Sequence, residues 1–136
     1  MWGREQVGDV VNAITRLELC EEVRLDPDRL AELFVQLGQQ GAEDMVCRAM
    51  EEISLRLAKV NAAYDAADLE RVRKLARSLV AISDQVGLAT LARVAEDVAD
   101  CAVGHDRVAL LAVVMRLQRI GESSVTAVWD IRDMSV

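Results

Sequence analysis

The chain has 136 residues, of which 52% are apolar but only 3% aromatic, so alanine, leucine and valine must build any core. One proline and seven glycines leave few sharp turns, and strand-type alternation is nowhere sustained, which points to an all-α protein of one domain. The net charge of −7 repels a phosphate backbone, so nucleic acid is not an expected partner.

The opening residues, MWGREQVGDVV, lack the charged start and apolar run of a signal peptide. No stretch approaches the roughly 20 apolar residues of a membrane span, so no membrane is expected as a partner and the expected location is cytoplasmic. Cys20, Cys47 and Cys101 are odd in number and widely spaced, and His105 is the only histidine. Neither a disulfide framework nor a metal site is supported, and no cofactor is implied; reduced, buried or half-buried thiols are expected.

In chain order, Val7, Val10, Val11, Ile14, Leu17 and in some registers Cys20 fall at three- and four-residue steps, predicting an amphipathic helix over residues 5–24. This N-terminal unit, residues 1–25, is expected to pack on a bundle formed by residues 26–136. Asp26 and Pro27 announce the next helix, with Gly38 just past its end. Gly41 then opens a long helix with the stripe Met45, Val46, Ala49, Ile53, Leu57, Val60 and Tyr64, ending near DAAD.

Asp68 can cap the following helix, which turns Leu69, Val72, Leu75, Ala76, Leu79, Ile82 and Val86 inward and bends at or near Gly87. Another helix, over about 88–102, buries Leu91, Val94, Ala95 and Val98 before VGHD breaks it. The last starts near Asp106 with an inner stripe of Val108, Leu111, Val114, Met115, Leu117 and Ile120. Gly121 ends it, bends it or is tolerated, and the tail adds a turn or two. Short links between such helices predict an antiparallel four-helix bundle carrying the additional N-terminal helix.

Placed on a wheel at about 100° per residue, the helix after Asp68 sets Leu79 at the centre of its inner side and Arg77 almost opposite. Glu70, Arg73, Lys74, Ala81 and Asp84 share that outward side, and Val80 sits on its shoulder. A small apolar area thus lies among four basic side chains, Arg71, Arg73, Lys74 and Arg77, in an acidic protein. Most charged faces of this kind are merely solvated; this one has the composition of a docking surface.

The stretch ARSLVAISDQVGLATL resembles the signature of histidine-containing phosphotransfer (Hpt) domains of bacterial phosphorelays. It matches at Ala76, Leu79, Ser83, Val86, Gly87, Leu88 and Leu91 without gaps, and the order of helices from Pro27 to Ile120 is similar too. The resemblance implies a four-helix bundle with the motif facing solvent, and a receiver domain or histidine-kinase assembly as partner. Three positions depart from it: Arg77 stands where the family has its phosphorylated histidine, and Val80 and Ala81 replace lysine and glycine. Neutral imidazole has a lone pair that can attack an aspartyl phosphate. A guanidinium stays protonated and has no acceptor, so it cannot.

The expectation is therefore a module that binds without catalysis through Arg73, Lys74, Arg77, Val80, Ala81 and Asp84. Two alternatives stand beside it: a helical scaffold that dimerises through its N-terminal helix, and an active phosphotransferase using His105, whose place between helices suits a cap better than catalysis. Paired carboxylates such as Glu51 and Glu52 point about 100° apart on a helix and do not converge, while Glu52 and Arg56 are spaced to pair.

Overall fold

The computed structural model describes residues 23–134, with side chains up to residue 129. Four helices run in order, α1 (Pro27–Asp65), α2 (Leu69–Gln85), α3 (Ala89–Val103) and α4 (Arg107–Met134). Three of them start where an aspartate supplies the acceptor that the first turn lacks. The Asp26 carboxylate accepts from the amides of Asp28 and Arg29 at 3.1 and 3.3 Å, that of Asp68 from Arg71 at 3.2 Å, and that of Asp106 from Ala109 at 3.0 Å. The expected caps at Asp26 and Asp68 are therefore in place, with Pro27 in the first turn.

Gly38 takes φ +74° and ψ 173°, which interrupts α1 where a stop was expected. Only glycine adopts that backbone without strain. The helix resumes directly after it, so Gly41 lies inside the second segment and does not open it. Of the expected N-terminal helix, residues 5–22 lie outside the described residues, and Val23 and Arg24 belong to no helix. Leu25 instead bridges to Leu88 of the α2–α3 turn, beside a bond of 2.7 Å from the Asp26 amide to the Gly87 carbonyl.

Links 66–68, 86–88 and 104–106 are too short to cross the molecule, so successive helices reverse direction. Arg56 meets Ser78, while Ala49 shares a groove with Ile82 and Gln85, as antiparallel α1 and α2 require. Leu57 meets Gln118 while Val46 lies near Val128, so α4 runs antiparallel to α1 and closes the ring. The expected all-α bundle of four helices is what forms.

At its centre lie Ile53 and Val60 from α1, Val72 and Leu79 from α2, Leu91, Val94 and Val98 from α3, and Leu117 from α4, all fully buried. Each such side chain contributes about 1.5–3 kcal/mol by leaving water. Ala49 and Leu57 of the α1 stripe are buried as well, and Met45, Val46 and Tyr64 are half-buried against the core.

The expected inner stripe of α4 is only half correct. Val114, Leu117 and Ile120 are buried, but Val108 is 80% exposed, Leu111 42% and Met115 54%. Leu110, which the sequence stripe left out, is buried instead. Residues 108–115 are apolar on every side, so their spacing does not single out a face. The register comes from further along, where Gly121 faces Leu57 so closely that a Cβ there would lie 2.4 Å from the Leu57 Cδ1. The helix passes straight through Gly121 to Met134, and Val125 and Val128 pack against the core, so the tail adds more than a turn or two.

The outward face of α2 as candidate site

Helix α2 is held from within by Val72, Ala76, Leu79 and Ser83, all buried, with Leu69, Leu75 and Ile82 half-buried at the margins. That seating decides what solvent meets. Lys74, Arg77, Ala81 and Asp84 are exposed and Val80 is half-buried on the shoulder, as the wheel predicts. The structure thus brings all six expected positions to one side of the helix, four of them exposed and Arg73 and Val80 half-buried.

Arg73 differs. Its guanidinium turns back one helical turn and engages Glu70 through two nitrogens, Nη2 to Oε1 at 2.7 Å and Nε to Oε2 at 3.3 Å. The pair spends most of the charge of Arg73 locally. Its hydrogen bond is the main reason why the Glu70 carboxyl sits below the usual carboxylate range; desolvation comes next and opposes it, and the positive fields of Arg73, Lys74 and Arg77 then add to the lowering. The same bond raises Arg73.

Lys74 and Arg77 have no ion-pair partner among the described residues. Two cationic heads therefore stand open to solvent one turn apart, beside the methyl of Ala81.

A further arginine reaches α2 from α1. Arg56 donates from Nε to the Ser78 hydroxyl at 3.0 Å, and Ser78 donates to the Leu75 carbonyl at 2.7 Å. Arg56 also pairs with Glu52, as the four-residue spacing predicts. Its reach to Ser78 spans two helices, and nothing local in the sequence signals it.

Other reactive groups stand apart from this face. His105 is exposed in the α3–α4 link, and Cys47 and Cys101 are half-buried. Burial, followed by the charges of Asp97, Asp100 and Asp106, pushes the Cys101 thiol up and keeps it protonated at neutral pH. Cys20 lies outside the described residues. Among the described residues no cluster of His, Cys, Asp and Glu is placed to hold a metal, and no helix is long and apolar enough to cross a membrane.

None of three comparisons, with protein-family models, with curated proteins and with solved structures, found a match to this chain. What the chain does must be argued from the face itself. A guanidinium and an ammonium held toward water can donate charge-assisted hydrogen bonds to carboxylates or phosphates; neither has a lone pair with which to carry a phosphoryl group.

Proposed function

We propose that the protein is a non-catalytic module of Hpt-like architecture that docks a response-regulator receiver domain, or a histidine-kinase assembly, through the outward face of α2 without carrying phosphate. The observation that carries this is the exposed, unpaired guanidinium of Arg77 on a bundle helix, at the motif position where the family holds its histidine. Gly87 supports it, since φ +76° sits where the motif has its glycine, followed by Leu88 and Leu91, both fully buried. A receiver presents carboxylates around its phosphoacceptor, and Arg77 offers them parallel N–H donors. The action is competition or sequestration.

Titration calorimetry with a receiver domain tests it. Arg77→Ala is expected to lower affinity about tenfold, or about 1.4 kcal/mol, and added salt to weaken binding further. Unchanged affinity both in Arg77→Ala and in the triple alanine variant of Arg73, Lys74 and Arg77 would remove this face from the mechanism. Incubation with a receiver charged from labelled acetyl phosphate is expected to leave the chain unlabelled. Acid-labile label that disappears in His105→Gln would show an active phosphotransferase instead.

A second reading, a helical assembly or dimerisation protein, draws on another observation: the exposed row Val108, Leu111 and Met115 on α4. Light scattering decides it, a doubled mass that reverts to one chain in Leu111→Lys/Met115→Lys being its signature.

A further inference from the structure

Helix α4 turns a stripe of its own away from the core. On the wheel Val108, Ala112, Met115 and Arg119 fall within about 60° of one another, on the side opposite the buried Leu110, Val114, Leu117 and Ile120. Val108 and Met115 are exposed, as is Leu111 on their flank, so two turns of this surface are apolar without a break.

Arg119 closes the stripe. Glu122 stands three positions further on, yet Arg119 makes no ion pair among the described residues, and its Nε is buried without an acceptor. A shielded donor left without an acceptor costs free energy, which an acceptor from outside the chain recovers. The occupant of this face must therefore match an apolar row that ends in a cation.

A second copy of the chain does so. Val108 and Met115 lie equally far from a point midway between Leu111 and Ala112, so a two-fold axis there sets Val108 on Met115 of the copy and Leu111 on Ala112, large against small. The same axis carries Arg119 to the level of Gly104 in the α3–α4 link of the copy. Exposed Asp100 and Asp106 flank that link, and the carbonyl end of α3 adds its negative pole. Arg107 lies about 110° around the wheel from the stripe and stays clear of the pairing.

We infer that the outward stripe of α4 is a homodimer contact in which two α4 helices run antiparallel about that axis, Arg119 of each copy facing the acidic α3–α4 link of the other. This contact gives a register to the dimer of the second reading above, on which it rests. Helix α2 lies across the ring from α4, so the outward α2 face of each copy stays open in the pair, and docking stands or falls separately.

Cysteine cross-linking of the full chain tests it, with the unmodified chain as background for Cys20, Cys47 and Cys101. Ala112 and Thr126 are both exposed on the stripe. Across the axis the two copies of residue 112 are offset by about 1.5 Å along the helices, whereas those of residue 126 are about 44 Å apart, far beyond the reach of a disulfide. Mild oxidation is expected to cross-link Ala112→Cys severalfold above background and Thr126→Cys not at all. Light scattering is expected to give a doubled mass, with the dissociation constant raised about tenfold in Arg119→Glu. A single-chain mass at the highest attainable concentration overturns the contact. So does cross-linking at Thr126→Cys, which marks parallel helices, its absence at Ala112→Cys, or an unaltered constant in Arg119→Glu. In those last three cases a doubled mass that still reverts in Leu111→Lys/Met115→Lys leaves the second reading standing without this register.

Discussion

Helices α2 and α4 present opposite cases of how a face is chosen. In α2 the apolar residues keep to one side and the charged ones to the other, so the burial of Val72 and Leu79 and the exposure of Lys74 and Arg77 follow from spacing alone. In α4 the run from Val108 to Met115 is apolar all round, and the chain had to be told by its neighbours which side to bury. Gly121 supplies part of that instruction. By lacking a side chain it lets Leu57 of α1 approach, which fixes the rotation of the whole helix and turns Leu110, Val114 and Leu117 inward.

The largest effects should mark the true inner faces. Leu79→Ala in α2 and Leu117→Ala in α4 should each cost about 3 kcal/mol in chemical denaturation, since both side chains are fully buried. Leu111→Ala and Met115→Ala, on the side of α4 that spacing had assigned to the core, should cost well under about 1 kcal/mol. Equal losses at Leu111 and Leu117 would mean that α4 is rotated from the position described. Gly121→Val probes the same register: its Cβ would meet Leu57 Cδ1 at 2.4 Å and Cδ2 at 3.1 Å, and overpacking should cost about 2 kcal/mol. In a Leu57→Ala background most of that loss should vanish, because the clashing atoms are gone.

Gly87→Ala should follow at about 1–2 kcal/mol, since φ +76° strains any other residue and the new Cβ would stand 3.0 Å from the Asp26 carbonyl oxygen. The Gly87 carbonyl also receives the Asp26 amide. Wild-type stability in this variant would show that the α2–α3 turn adopts another backbone.

Much of the fold was legible because its signals were local. Asp26 and Asp68 each sit at a helix start, Gly38 and Gly87 each take a positive φ, and the stripes of α1, α2 and α3 repeat cleanly. Contacts between helices were not. Met50 fills the core from a position outside the α1 stripe, and Arg56 reaches Ser78 across a helix pair. The exposure of the candidate face was readable for the same reason as the core of α2, since an amphipathic pattern defines both sides at once. That Glu70 would take Arg73 and leave Lys74 open was not, because both cations lie within one turn of that carboxylate and only side-chain geometry separates them, whereas Arg77 has no carboxylate three or four positions away.

That last distinction gives the smallest and sharpest measurement. Glu70 is a carboxylate whose lowered pKa records each neighbouring cation in turn, first the hydrogen bond from Arg73, then the fields of Arg73, Lys74 and Arg77. Because the folded value is depressed, any stabilisation from this group is present above the unfolded carboxyl pKa and is lost as pH falls through the lowered folded value. Followed by carboxyl carbon NMR, the Glu70 titration should move upward most in Arg73→Ala, less in Lys74→Ala and least in Arg77→Ala. Salt should erase the two smaller shifts, which act through solvent, before it touches the hydrogen-bonded one. If Arg77→Ala moved Glu70 as far as Arg73→Ala does, the Arg77 guanidinium would be turned along the helix toward that carboxylate, and it would no longer be the open cation on which docking depends.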